Sequence, residues 1–205
     1  MTDVLPRAFF ARPAPEVAPA LLGARLFHLT PRGLLGGRIV ETEAYLGVED
    51  RASHARSGPT PRNRVMFGPP GHAYVYFIYG MHWCLNVVTE CEGQAGAVLL
   101  RALMPEAGLD EQRRLRGRPH DPPARLAAGP ARLCVAMAVD GEFQAHDLTV
   151  AGLLWIAAPP AGAPRPSIVR GPRVGVAHAG PPWAGLPYRF GVAGHPALSR
   201  PFGPV

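Results

Sequence analysis

The chain contains no lysine: all 21 of its basic residues are arginine. A lysine amine is the usual side chain for Schiff-base chemistry, so an imine would have to form on the N-terminal amine. Genomic base composition is the plain cause of such a bias, but the chemical consequence stands either way. Cysteine is scarce too, with only Cys84, Cys91 and Cys134. The odd count, the wide spacing and the lack of a Cys-x-x-Cys pair argue against a disulfide framework, a zinc site or an iron–sulfur cluster. The thiols read as buried and reduced, and neither a metal nor a cofactor is expected. No apolar run approaches the roughly 18 residues that span a bilayer. The first segment, MTDVLPRAFFARPAPEV, is broken by Pro6, Pro13 and Pro15 and does not read as a secretory signal. A cytoplasmic protein with no membrane partner is expected.

What is abundant is proline and glycine, 25 and 24 of 205 residues, beside a 47% hydrophobic share. This composition predicts one domain across residues 1–205, with many turns and few long helices. The net charge of +6 favours a polyanionic partner.

Along the chain, Glu16–Leu22 before Gly23 predicts a short helix. Gly37–Leu46 predicts a strand with Ile39, Glu41, Glu43 and Tyr45 on one face and Val40, Thr42 and Ala44 on the other. Residues 47–71 are rich in proline and glycine and predict a long structured loop. Tyr74–Ile78 and Trp83–Val88 predict paired strands with Tyr79-Gly80 at the hairpin tip. Ala97–Leu103 predicts a further strand, and Ala107–Leu115 and Ala131–Ala138 predict helices. Leu153–Ala158 and Ser167–Ala177 predict late strands around a Pro/Ala loop at Pro159–Pro166, and the tail from Gly180 predicts turns. The sum is an α+β domain with a curved, mostly antiparallel sheet, peripheral short helices and a protruding β-hairpin.

Several residues could carry chemistry. Glu41 and Glu43 point the same way about 7 Å apart, where one acid can raise the pKa of the other and produce a general base. A solvated strand face would show the same spacing. Tyr45, Tyr74 and Tyr76 could line a slot for a flat ring, with His54 closing one wall, or they could pack as an aromatic core. Arg51, Arg56, Arg62 and Arg64, with Thr60 and Asn63 between them, suit phosphate contacts or a plain basic loop. Arg113, Arg114, Arg116 and Arg118 spread round a helix and read as a solvated face. Tyr79 beside Gly80 would be exposed, which suits an aromatic wedge for a base stack or a ring folded back on the sheet.

Together the motifs RIVETEAYLG (Arg38–Gly47), TPRNR (Thr60–Arg64), YVY-x-IYGM (Tyr74–Met81), VLLRAL (Val98–Leu103) and RVGVAHAG (Arg173–Gly180) resemble the alkyladenine (3-methyladenine) DNA glycosylase family. The resemblance covers about Phe9 to Pro196. It implies a monofunctional, metal-free enzyme, monomeric, acting on double-stranded DNA that contains damaged purines such as 3-methyladenine, hypoxanthine or ethenoadenine. It implies Glu43 as the base that activates water, with Arg101 helping to hold that water. It implies Tyr45, His54 and Tyr76 as pocket walls and Asn86 as the residue that crowds out guanine. Tyr79 would be the intercalating side chain, flanked by Met81 and His82, with Thr60, Arg62, Arg64 and Arg132 as DNA contacts. His82 replaces a familiar tyrosine, the Ser57–Thr60 loop is shorter than the mammalian pattern and Glu90–Gly96 is longer. A catalytically silent nucleic-acid-binding module and an RNA-binding domain are the rival readings.

Overall fold

The computed structural model describes residues 3–203. The N-terminal amine, the one remaining imine candidate, lies outside them. Eight strands form one sheet in which every pairing is antiparallel. They are β1 (Arg25–Thr30), β2 (Gly33–Tyr45), β3 (Ala73–Ile78), β4 (His82–Val88), β5 (Ala97–Ala107), β6 (Leu154–Ala157), β7 (Ile168–Gly171) and β8 (Arg189–Val192). Short helices flank the sheet: α1 (Arg7–Phe10), α2 (Ala14–Ala20), α3 (Leu109–Arg116), α4 (Pro123–Leu126) and α5 (Pro130–Ala136). This is the α+β class expected. No helix among the described residues is long and apolar enough to cross a membrane.

The strand order is β3-β4-β5-β2-β1-β6, with β8 joining β2 to β7. β2 is the hinge of this layout. Its first half pairs with β1 and its second half, Glu41–Glu43, pairs with β8. Against β5 the ladder slips twice at this junction. Ile39 pairs with Leu103, Glu41 with Ala102, and Thr42 with Leu100. Val40 and Arg101 are therefore each an extra residue, one on each strand, on either side of the Glu41–Ala102 pair. Bulges bend a strand and re-aim its side chains.

The bulge corrects one expectation. Ile39 does not share a face with Glu41 and Glu43. It packs in the main core with Ala44, Leu100 and Leu103, while Val40 packs with Ala102 and Ala197 in a separate cluster. Strict alternation fails because the extra residue turns Val40 and Glu41 to the same side.

One face of the sheet buries Thr42, Ala44, Leu85, Val87, Val98 and Leu100 against α2 and α5. The Thr42 hydroxyl donates to the Ala18 carbonyl on α2 at 2.8 Å. The opposite face carries Glu43, Asn86 and Tyr74.

Three other boundaries differ from expectation. β5 runs on to Ala107, which pairs with Gly36, so α3 begins only at Leu109 after a positive-φ turn at Gly108. Gly36 itself is required by close approach, because a Cβ there would lie 2.6 Å from the Phe27 ring. The strand expected over Ser167–Ala177 stops at Gly171, since Pro172 has no N–H to extend the ladder. β1, and β8 within the supposed turn-only tail, lacked clear signals. β8 holds as four residues because it is paired on both sides, by β2 and β7.

Candidate active site

Sheet register sets the floor of the site. Tyr74 pairs with Asn86, Asn86 with Leu99, and Leu99 with Glu43. Paired residues point to one face, so this row sets a phenol, an amide and a carboxylate across four strands, about 14 Å apart end to end. The next row sets Tyr45 opposite Ala97.

Glu43 is fully buried. Its Oε2 accepts from the Tyr45 hydroxyl at 2.8 Å and stands 3.3 Å from Arg101 Nη1. Its Oε1 accepts from the Val174 backbone N–H at 2.7 Å. Burial pushes the Glu43 carboxyl pKa above its ordinary value, while Arg101, the Val174 N–H and the Tyr45 hydroxyl pull it back. The outcome is a buried carboxylate that is hydrogen-bonded when charged yet more basic than an exposed glutamate. Tyr45 stays protonated, because burial and Glu43 push its pKa well above the usual phenol value.

Above this floor lies a pocket of about 270 Å³. It brings together Tyr45, His54, Tyr76, Asn86 and Tyr79, all marked out by the sequence, with Tyr74, Val174 and His178. β2 and β3 are separated by β4 and β5, and the space between Tyr45 and Tyr76 is walled by Ala52, His54 and Met66 of the 47–71 loop and by Val174–Val176 and His178. His54 Nδ1 meets the Tyr74 hydroxyl at 2.8 Å, and the His54 ring stands edge-on to Tyr76 with centroids 4.6 Å apart. Burial against these rings, with Arg62, Arg56 and His178 nearby, pushes the His54 pKa down to about 4. His54 is thus neutral at pH 7. Asn86 is buried, and its side-chain N–H donates to the Tyr74 carbonyl at 2.9 Å. Such a concave site, walled by aromatic and aliphatic side chains with a few fixed polar groups, suits a flat heterocycle smaller than a drug-sized ligand.

The β3–β4 hairpin projects beside the pocket. Tyr79 and Gly80 both have positive φ, 55° and 67°, the pattern of turns that fit hairpin twist. Glycine adopts this freely, but tyrosine stores strain there. Tyr79 is 81% exposed and Met81 68%. Two large apolar side chains held in solvent on a strained tip suit insertion into another surface. His82 is half-buried and pairs with Ile78 as the last pair before the hairpin tip.

A sequence model of methylpurine-DNA glycosylase matches residues 8–196. The chain belongs to the methylpurine-DNA glycosylase family. It is 46% identical over 200 residues to the human protein named DNA-3-methyladenine glycosylase, covering 93% of this chain and 66% of the human one. It is 50% identical over 204 residues to a Rhodopseudomonas palustris protein with the provisional name 3-methyladenine DNA glycosylase, covering 97% and 89%. An Anaeromyxobacter dehalogenans protein with the same provisional name is 49% identical over 198 residues, covering 96% and 87%.

The remaining marked residues lie outside this pocket. Thr60, Arg62 and His54 border an adjoining hollow of about 270 Å³ with Arg51 and Arg56. Thr60 spends its hydroxyl on Asn63 at 2.9 Å, and buried Asn63 ties the loop to the His54 and Gly58 carbonyls. Arg62 donates to the Phe77 carbonyl at 3.2 Å and lies over Tyr76, while Arg64 is exposed. Arg132 stands elsewhere, in a hollow of about 530 Å³ with Arg116, Arg118 and Arg125. The arginine run is therefore not one solvated face. Arg113 and Arg114 pair with Asp110 and Glu111 on the surface, while Arg116 and Arg118 turn into this hollow.

Sequence reasoning missed the supports. Arg173 and Asp50 form a buried two-bond ion pair, with the Arg173 guanidinium 4.8 Å over the Tyr45 ring. Glu41 is held by Arg101, Arg189 and Ser199. Arg173 sits in a motif visible in the sequence, but nothing local marks its partner 123 residues away. Among the described residues, no three His, Cys, Asp or Glu side chains gather as a metal site requires.

Proposed function

We propose that this chain is a monofunctional DNA glycosylase that flips alkylated or deaminated purines out of duplex DNA. It hydrolyses the N-glycosidic bond with water activated by Glu43, opening base excision repair. The observation that carries this reading is the buried, pKa-raised Glu43 carboxylate hydrogen-bonded to two residues of the pocket wall, Tyr45 and Val174, in a chain of this family.

Position supports each role. Extruding a base costs a few kcal/mol, and Tyr79 is poised to fill the gap left in the stack. The flipped purine lies among Tyr45, His54 and Tyr76, whose ring faces favour a cationic alkylated base. Neutral His54 accepts or donates one hydrogen bond without repelling that cation. Asn86 stands at the pocket floor, where an exocyclic amino group of guanine would crowd it. Glu43 takes the proton of the attacking water as the bond to the base loosens, and Arg101 steadies the charges beside it. Arg62, Arg64 and Thr60 flank the hairpin as backbone contacts, and Arg132 serves a more distant phosphate. A silent binding module would gain nothing from a buried carboxylate turned towards a polyanion.

The deciding assay uses duplex oligonucleotides carrying 3-methyladenine, hypoxanthine or ethenoadenine. Free base should appear, leaving an abasic site in an unbroken strand. No side-chain amine is present to form an imine, so strand breakage without added alkali would refute the monofunctional mechanism. Tyr79→Ala should slow excision from well-paired lesions by about tenfold or more, in line with a flipping cost of a few kcal/mol. It should spare lesions in mismatched or single-stranded contexts. Equal rates in both contexts would leave the tip without a role in flipping.

A further inference from the structure

Arg101 makes a directed contact on every guanidinium nitrogen. Nε donates to Glu41 Oε1 at 3.0 Å, Nη2 donates to Ser199 Oγ at 3.0 Å, and Nη1 stands 3.3 Å from Glu43 Oε2. A guanidinium is planar, so fixing two nitrogens fixes the direction of the third. Glu41 is fully buried and saturated: besides Arg101 it accepts from the Ser199 N–H at 2.5 Å, Ser199 Oγ at 2.8 Å and Arg189 Nη1 at 3.3 Å. Ser199 Oγ donates to Glu41 and accepts from Arg101, closing a three-member ring.

We propose that Glu41 is a positioning residue that aims Arg101 at Glu43, and that Ser199 locks the pair. The proposal rests on Glu43 acting as the base. The register supports it: Glu41 lies two residues from Glu43, and Arg101 two residues from Leu99, the residue paired with Glu43, so alternation puts both on the Glu43 side of the sheet. Fold stability alone is a poor reason for this cluster, since buried ion pairs are often no better than apolar packing of the same volume. Arg189 does not share the task. It is held by the Pro172, Arg200 and Pro201 carbonyls and lies 3.8 Å from the Phe202 ring centroid. Of the tail, Ser199 holds the acid that aims Arg101, while Arg200, Pro201 and Phe202 hold Arg189 beside it.

The test is single-turnover excision against pH, with duplex binding measured in parallel. The titratable or charged groups facing Glu43 are Glu41 and Tyr45 on β2, Arg101 on β5, Tyr76 on β3, Cys84 on β4 and Arg189 on β8, the residue paired with Glu43. Glu41→Gln should slow excision at saturation by on the order of 10²-fold, the scale for one misplaced electrostatic partner. Duplex affinity should stay within about threefold, well under one order of magnitude in binding constant. The acid limb should move to higher pH as Arg101 leaves Glu43. Simple loss of the Glu41 charge would move it lower, and a lower limb with the rate preserved would overturn the proposal. Ser199→Ala keeps every charge and decides the case if Glu41→Gln fails to fold. A rate about tenfold lower, roughly one lost hydrogen bond to a charged group, supports the lock, and an unchanged rate overturns it. Glu43→Gln is run alongside. If that variant stays active, the general-base reading fails. If it is dead while Glu41→Gln is fully active, only the positioning proposal fails.

Discussion

Glu43→Gln should lower base excision by about 10²–10⁴-fold, the usual contribution of a positioned base, while binding to damaged duplex survives. The substitution keeps shape and volume. The Val174 N–H retains an acceptor, and Arg101 retains Glu41 as its counter-ion. The fold should not suffer. A carboxyl whose folded pKa is raised holds its proton more tightly in the folded chain than in the unfolded one. Stability from that group therefore falls as pH rises from the unfolded value, 4.5, through the raised folded one. The glutamine removes this penalty, so its melting temperature at neutral pH should be no lower than the parent's. In the parent, excision should decline as pH falls through the raised Glu43 pKa, and in the variant that limb should vanish. Excision within about tenfold of the parent, below a usual general-base effect, would remove Glu43 from the mechanism.

The second large effect is on stability. Asp50→Ala should cost about 3–5 kcal/mol, the usual penalty for leaving one member of a buried ion pair alone. Asp50 and Arg173 have no exposed side-chain surface. Asp50 takes both Arg173 Nη groups and the N–H groups of Leu46 and Ala52. Arg173 also donates to the Ala44 and Trp183 carbonyls. The pair therefore ties the end of β2, the start of the long loop and the segment before Val174 into one block. Removing Asp50 strands the arginine beneath Tyr45. A urea midpoint displaced to much lower denaturant with an unchanged slope would register the loss. The double variant Asp50→Ala/Arg173→Met should recover part of it, since no charge is left unpartnered. A single variant as stable as the parent would mean that Arg173 finds water or another acceptor.

Much of this site was legible because its residues are close in sequence. Glu43 and Tyr45 follow one another along β2, and Tyr76, Tyr79 and Asn86 fall on one hairpin whose Tyr-Gly tip is a local signal. The β3–β4 pair and the β2 region were readable for the same reason. Ile39 was placed on the wrong face because a bulge is a property of two strands, and the residues opposite this one, Ala102 and Leu103, are 63 and 64 positions from Ile39. β8 escaped notice because four residues between Tyr188 and Ala193 become a strand only when β2 and β7 are present to pair with them. Glu41 looked like a spare acid on a wet strand face. Its burial depends on Arg189 and Ser199, which no spacing rule connects to it.

The same long-range pairing has a kinetic meaning. Glu43 sits in the first quarter of the chain, yet its supports are Leu99 and Arg101, then Val174 and Arg189. Contacts closed over such separations form slowly and late. A nascent chain extended only to residue 150 would carry both acids, the tyrosines and the hairpin, but neither the Val174 N–H nor the Ser199 lock. Such a chain could touch DNA without holding a water for attack. On this layout, competence to cut bases arrives as one event near the end of folding.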